Sequence, residues 1–303
     1  MKSCVILGGA GFIGSHVARR LSKDMRVRAF GRHNPTVALP QNVEWFLGDF
    51  TDETAVAAAI EGHETVIHLI HPTFPSTANA EIIPDVQRSI IPTIRLLDSC
   101  VALGVKRVVF FSSGGTVYGP TSNLPISEDA PVHPISAYGI SKLTIEHYLR
   151  FYEYTHGLRY FVVRLGNPFG PNQMGLKNQG LVSVVGRRIL SGDAIVVYGD
   201  GSVRRDYIYV DDVADFTFEL LQYQGSHRVF NVGGGEGRSI LEVIRVIEDA
   251  AGRKADLYFQ AARRFDVPCN VLCTERAERE LGWAPKIEFS EGIKRTVHWL
   301  MGK

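Results

Sequence analysis

The chain is 303 residues long and 45% hydrophobic, with 33 Lys and Arg against 32 Asp and Glu and a formal net charge of +1. That balance leaves no basic field for nucleic acid or an anionic membrane surface, and the length allows one elaborated domain or two fused ones around a large core. There is no basic-then-apolar leader and no apolar run near the roughly 18 to 20 residues that span a bilayer, so a cytoplasmic protein without nucleic-acid or membrane partners is expected.

The first element is the apolar run Cys4-Val5-Ile6-Leu7, a predicted strand, which leads into Gly8-Gly9-Ala10-Gly11-Phe12-Ile13-Gly14 and a helical pattern from Ser15 to Leu21. A GxxGxxG turn at Gly8, Gly11 and Gly14 between strand and helix points to a dinucleotide site. Gly8 and Gly11 let the main chain approach a pyrophosphate, Gly14 lets the helix pack on the strand, and Phe12 and Ile13 lie at the helix start that faces the phosphates. The alternative is a plain strand-to-helix turn.

The second strand, Val27 to Phe30, ends at Gly31 and Arg32. An NAD site usually carries a carboxylate there for the ribose hydroxyl, whereas Gly31 leaves room and Arg32 a guanidinium for a 2′-phosphate, so the cofactor is NAD or NADP with a lean to NADP. A solvated loop Arg in an NAD enzyme is the other reading. Further apolar runs at Val43 to Leu47, Thr65 to Ile70, Val108 to Phe111 and Tyr160 to Leu165 alternate with helical patterns. Together they predict an α/β fold, a Rossmann-type doubly wound parallel sheet with helices on both faces. His68 lies within the fourth strand and His71 directly after it, either touching a ligand or as hydrogen-bonded wall residues.

The fifth strand runs into hydroxyl residues, Ser112-Ser113-Gly114-Gly115-Thr116, at the strand end where open α/β sheets place ligands. Ser136 to Lys142 then opens a helix reaching His156, with Tyr138 and Lys142 four apart on one face. A phenol titrates near pH 10, and a shift of about three units, roughly 4 kcal/mol, would make it a general base at neutral pH. Lys142 together with an oxidised nicotinamide in a dry cleft is the expected source of that shift. A surface Tyr and Lys on an amphipathic helix is the bland alternative, disfavoured by the glycine loop upstream.

After Arg164 the texture changes. Gly and Pro cluster from Gly166 to Gly180, strands shorten, and helices are predicted at Leu181 to Leu190, Val213 to Leu221, Ile240 to Ala251 and Glu291 to Leu300. The expected division is a dinucleotide-binding region over 1–165 and a smaller α/β substrate-binding region over 166–303, with some interleaving. Cys4, Cys100, Cys269 and Cys273 form no CxxC pair, and no metal site is expected.

The glycine loop, Val108 to Gly119, the Tyr138/Lys142 pair, Arg164 to Gly170, Arg205 to Asp212, Phe230 to Gly233, Asp266 to Pro268 and Leu281 to Pro285 together resemble the extended short-chain dehydrogenase/reductases. Within them the resemblance is to the sugar-nucleotide epimerases of the UDP-glucose 4-epimerase type, in the NAD-dependent epimerase/dehydratase family, and it spans nearly the whole chain. It implies that Asp49 and Phe50 meet the adenine, unless Asp49 caps the helix from Asp52, and that Leu69 and Pro168 also belong to the cofactor site. It further implies a nucleotide-diphosphate sugar held by Asn167, Arg205, Arg263 or Arg264, Asp266 and Asn270. Arg204 reads as a solvated neighbour, and Asn167 has a turn role as its alternative.

The chain also departs from the pattern. The family's catalytic Ser or Thr falls at Gly114, so Ser113 or Thr116 must supply the hydroxyl, Ser113 being favoured; one of them alternatively caps backbone. The family's Lys after the fourth strand is replaced within Leu69 to Thr73, and its Asn on the following helix by Ser89. Related dehydratases carry Thr-Asp-Glu where Gly114-Gly115-Thr116 stands, which removes the acid pair needed to expel water. Reversible oxidation at the sugar C4 is what remains: Tyr138 takes the hydroxyl proton, and hydride leaves one face of the sugar and returns to the other. The expected activity is therefore nucleotide-sugar 4-epimerisation, with an NADPH-dependent 4-keto sugar-nucleotide reductase and a non-catalytic dinucleotide sensor as alternatives. Asn270, smaller than the Tyr that restricts relatives to plain hexoses, implies room for an N-acetyl group. The resemblance also implies a homodimer through the helices Ile82 to Leu103 and Ala137 to His156, with Ile83, Ile90, Ile94 and Leu97 as an apolar stripe that alternatively covers the sheet.

Overall fold

The computed structural model describes residues 2–73, 78–173, 180–262 and 267–302. Strand and helix alternate as the apolar runs require: β1 (Ser3–Leu7), α1 (Phe12–Leu21), β2 (Arg26–Gly31), β3 (Val43–Leu47), α2 (Glu53–Ile60) and β4 (Thr65–His68). A helical rod in three stretches follows, Ile82–Asp85, a wider π turn Val86–Ile90 and Ile91–Ala102, here together α3. Next come β5 (Arg107–Ser113), α4 (Ala137–His156) and β6 (Arg159–Leu165). Beyond it lie β7 (Asn167–Phe169), α5 (Leu181–Ser191), β8 (Ile195–Tyr198), β9 (Arg204–Tyr209), α6 (Val210–Gln222), β10 (Val229–Val232) and β11 (Gly237–Ser239). The chain ends through α7 (Ile240–Ala251), β12 (Leu257–Gln260), β13 (Cys269–Asn270), α8 (Glu275–Leu281) and α9 (Phe289–Met301).

Seven strands form one parallel sheet in the order β10-β6-β5-β4-β1-β2-β3. Its central strands are buried at nearly every position because both faces are covered. On β1, Cys4 and Ile6 enter a core with Val17 and Ala18 of α1 and Phe216 of α6, while Val5 and Leu7 enter the opposite one with Leu96, Leu97 and Ile145 of α3 and α4. Strand order reverses between β1 and β4, and ligands of doubly wound sheets bind in the crevice outside such a reversal. The predicted fourth strand stops two residues early, at His68, though the Leu69 amide still reaches the Leu7 carbonyl at 3.0 Å.

β10 comes from beyond residue 165 and completes the sheet by pairing with β6. The rest of the second half builds a smaller unit: β9 pairs antiparallel with β11 and parallel with β7 and β13, and β8 pairs with β12. A third core, with Val185, Ile189, Ile244, Ile247, Ile293 and Val297, lies among α5, α7 and α9.

The apolar stripe expected on α3 is not one stripe. Pro92 has no N–H to offer the carbonyl a turn earlier, and the helix widens to a π turn over Val86–Ile90. The added residue rotates what precedes it, so Ile83 is 65% exposed whereas Leu97 is sealed in the sheet-facing core.

Candidate active site

The glycine loop hangs between β1 and β2, its Gly8 and Gly9 amides donating to the Phe30 carbonyl at 2.9 and 3.2 Å. Gly8 has φ +89°, and a Cβ on Gly14 would stand 2.2 Å from the Gly8 carbonyl oxygen, so no side chain fits at 14. α1 starts at Phe12 behind Gly11, with no side-chain cap and no acidic residue in its first turn. Its free N–H groups and dipole make a seat for an anion, and the cradle of Gly8, Gly11, Phe12, Ile13 and Gly14 fits a dinucleotide pyrophosphate.

At the end of β2, a Cβ on Gly31 would lie 2.7 Å from the Trp45 indole, which explains in packing terms why no carboxylate stands there. The Arg32 side chain is 71% exposed and its guanidinium sits 3.9 Å from the Asp49 carboxylate. A carboxylate thus shares this corner with the cation, and the sequence-based lean to a 2′-phosphate gains no support from it. Asp49 accepts from the Thr51 amide and hydroxyl at 2.8 and 2.7 Å, bonds that hold its carboxyl below the usual range. The cap of α2 is Asp52, not Asp49. Phe50 turns inward, its ring 4.9 Å from that of His68.

His68 is a wall residue. The Thr93 hydroxyl donates to the Ser89 carbonyl, so His68 Nε2 must be the donor in its 3.0 Å contact with Thr93 Oγ1. Burial holds the ring well below its ordinary pKa.

Tyr138 and Lys142 lie in the first turns of α4. Ser136 caps the helix by accepting from the Gly139 amide at 3.2 Å, and a Cβ on Gly139 would be 2.7 Å from the Thr116 carbonyl oxygen, so α4 crosses hard against the exit of β5. Lys142 Nζ donates to the Phe111 carbonyl at 2.7 Å and lies 5.6 Å from the Tyr138 ring centre. Burial draws the ammonium down to about 7, against the pull of Glu146 and Asp85. The phenol moves the other way: burial first, then the Asp85 charge, lift Tyr138 above its ordinary value. The lowering expected from Lys142 is therefore not supplied by the chain's own groups, whose dry surroundings favour the neutral phenol.

A Cβ at Gly114 would lie 2.6 Å from Leu272 Cδ1 and 3.1 Å from the Arg164 carbonyl oxygen, so Leu272 occupies the space a catalytic hydroxyl would need. Ser113 ends β5 half-buried, and the Thr116 hydroxyl is sealed from water without a hydrogen-bond partner among the described residues. Neither hydroxyl caps backbone among them. Beneath the pair, Arg164 grips Glu146 at 2.7 Å while Ser112 donates to the same carboxylate at 2.5 Å, and this buried network fixes α4 on β5 and β6.

Beyond residue 165, Asn167 donates to the Asp206 carbonyl at 3.0 Å, and Pro168 pairs in register with Ile208. Arg205 donates to the Val267 carbonyl at 2.6 Å, which brings it beside Val267; Arg204 instead pairs with Glu242 at 3.1 Å. Asn270 is 1% exposed and donates to the Gly114 carbonyl at 3.0 Å, so it braces the end of β5. Arg263, Arg264 and Asp266 lie outside the described residues. Among the described residues no cluster of metal-binding size occurs, and no helix is long and apolar enough to cross a membrane.

Sequence reasoning passed over Asp85. Its carboxylate, 1% exposed, accepts from Thr73, from Ser141 at 2.5 Å and from Ser89 at 3.1 Å, and lies 3.2 Å from His71 Nε2. The only local signal was the spacing of Asp85 and Ser89, one helical turn apart.

Residues 4–233 match the model of a family described as NAD dependent epimerase/dehydratase. The chain is 30% identical to the dTDP-4-dehydro-6-deoxyglucose reductase of Escherichia coli, over 97% of this chain and 96% of that one. The UDP-glucose 4-epimerase of Thermotoga maritima, solved with UDP-glucose, superposes with a TM-score of 0.94 at 32% identity and 99% coverage of both chains. That of Thermus thermophilus, solved with NAD, superposes with 0.92 at 31% identity, again over 99% of each. The glycine cradle, the Tyr138/Lys142 pair at the exit of β5 and a match over most of the length thus converge, and the chain belongs to the NAD dependent epimerase/dehydratase family.

Proposed function

We propose that the chain is a nucleotide-sugar 4-epimerase acting on UDP-hexoses, with bound NAD as its cofactor. The observation that carries this reading is the Tyr138/Lys142 pair, packed by α4 against the exit of β5 beside the strand-order reversal. NAD, when bound, supplies reversible hydride transfer. Gly8, Gly11, Phe12, Ile13 and Gly14 would hold its pyrophosphate, Asp49, Phe50 and Arg32 would border its adenosine end, and Leu69, Lys142 and Pro168 its nicotinamide end. Tyr138 takes the proton of the sugar hydroxyl and returns it, Lys142 holds a positive charge beside the phenol, and Ser113 offers the hydroxyl that Gly114 lacks. Arg205, with Arg263 and Asp266, would grip the nucleotide diphosphate, while Asn167 borders the sugar and the buried Asn270 supports the end of β5 behind it.

The test is to incubate the purified protein with UDP-glucose, UDP-galactose and their N-acetyl forms, and to identify the dinucleotide it carries. Interconversion without net use of cofactor is the expected result. The likeness to the E. coli reductase supports a second reading, reduction of a 4-keto sugar nucleotide, which would consume reduced dinucleotide in proportion to product. Residues 1–165 serve the cofactor and 166–303 chiefly the substrate. A homodimer through α3 and α4 accounts for the exposure of Ile82, Ile83 and Ile91 beside Ile140, Phe151 and Tyr154; a monomeric mass by light scattering at micromolar concentration would count against it.

A further inference from the structure

We propose that Asp85 is the positioning residue of the proton-transfer site, a buried carboxylate that fixes Tyr138 through His71 and Ser141 and serves as counter-charge to Lys142. The inference rests on Tyr138 and Lys142 being the reacting pair proposed above.

A carboxylate in so dry a place persists only if its oxygens are hydrogen-bonded. Asp85 draws its partners from three separate elements. His71 and Thr73 come from the segment after β4, Ser89 from α3 and Ser141 from α4. The three hydroxyls each donate to it, so the site takes an acceptor-only group and the bonds hold Asp85 as the anion, far below the ordinary carboxylate range. Ser141 stands directly before Lys142 and three residues after Tyr138, so its 2.5 Å bond pins the turn that carries both. The His71 ring, its side chain 5% exposed, meets the Tyr138 ring edge-on with centres 4.6 Å apart. Neither ring nitrogen of His71 has a partner in hydrogen-bond geometry among the described residues, so the ring is held by its 3.2 Å approach to the Asp85 carboxylate and by packing.

The charges around the phenol make Asp85 distinctive. His68 and His71 at the end of β4 are kept neutral by burial, His71 falling to about 4. β5 contributes the Phe111 carbonyl and the Phe110 ring, and Glu146 on α4 is matched by Arg164. Asp85 has no Lys or Arg ion-pair partner among the described residues, and its charge favours both the protonated Lys142 and the protonated Tyr138. After Glu146, whose pull is the larger, it opposes the burial that would strip the Lys142 proton, and with burial it holds the phenol neutral until the site is assembled.

The test is a spectrophotometric titration of the phenol. The absorbance difference between the protein and its Tyr138→Phe variant isolates Tyr138, and the same difference is taken with Asp85→Asn in both. Asp85→Asn is expected to lower the Tyr138 transition by about one pH unit, the order expected of a nearby charge. Both limbs of the kcat/KM profile for the epimerised sugar nucleotide should move to lower pH with it. Asp85→Glu, which keeps the charge, should hold the original titration. An unmoved phenol in a folded Asp85→Asn protein overturns the proposal, because a purely structural role would lower activity without moving the transition. If Asp85→Asn does not fold, the smaller Asp85→Ser replaces it with the same expected shift. Failure of both to fold while Asp85→Glu folds assigns the carboxylate to stability alone and also overturns it. If the wild-type protein turns over no sugar nucleotide, the functional reading fails while the titration still decides the role of Asp85.

Discussion

Restoring a hydroxyl at position 114 should harm the protein rather than improve it. In Gly114→Ser the new Cβ would start 2.6 and 2.9 Å from the two methyls of Leu272 and 3.1 Å from the Arg164 carbonyl oxygen. Leu272 is fully buried among Val117, Tyr118 and Ile126, so its methyls have no free space to enter. Overpacking of this kind costs about 1 to 3 kcal/mol. Gly114 is not among the glycines with positive φ, so the added side chain also restricts the unfolded chain and returns about 0.4 to 1 kcal/mol. The net expectation is a loss of about 1 kcal/mol, within a range of about 0 to 2.6 kcal/mol, read as a lower urea midpoint at unchanged slope. Leu272→Ala alone should cost about 2 to 5 kcal/mol, and because it vacates the contested space, the double variant should be no less stable than Leu272→Ala. The coupling between the two sites would then be about −1 kcal/mol. Effects that add to within about 0.5 kcal/mol would refute the steric reasoning.

Tyr138→Phe should lower turnover by roughly 10²- to 10⁴-fold with dinucleotide binding nearly intact, and retention of more than a tenth of normal activity would sink its assignment as general base. Arg164→Ala leaves the buried Glu146 carboxylate without its cation and should cost about 3 to 5 kcal/mol in urea unfolding; a loss under about 1 kcal/mol would contradict the burial of that pair. Lys142 titrates at about 7 in the folded protein, against about 10.4 unfolded. Between those values the unfolded chain binds the extra proton, so the Lys142 contribution makes stability rise with pH over that window. Lys142→Met should flatten the rise, and an identical pH dependence in both proteins would argue against a depressed ammonium. Arg32→Ala should weaken NADH and NADPH alike in a binding titration, and selective loss of NADPH would restore a 2′-phosphate role for that guanidinium.

What the sequence disclosed was what local spacing encodes. Gly8, Gly11 and Gly14 announce a turn that only glycine can make, and Tyr138 and Lys142 share a helix face because they are four residues apart. The sheet strands of the first half were legible as short apolar-rich runs, buried throughout on β1 and β4 though only at Val43 on the edge strand β3. Three features were not legible, all set by residues distant in the chain. β10 is a four-residue run that joins the sheet only because the edge of β6 accepts it. Leu272, more than 150 residues away, fills the place of the missing hydroxyl at Gly114. Asp85 looked like an ordinary polar residue near a helix start, and its burial depends on hydroxyls from three elements.

β1 lies between β2 and β4, five of its five residues sealed on both faces, and the glycine cradle grows directly from its end. The strands of the substrate side are two to six residues long and stand apart from that sheet. Amide hydrogen exchange should therefore separate the two walls of the cleft, with β1 and β4 exchanging only through global unfolding and β11 and β13 through smaller openings. On the proposed function, the smaller openings would release the sugar nucleotide while the strands beneath the dinucleotide stay closed, so that turnover of substrate need not be accompanied by loss of the dinucleotide.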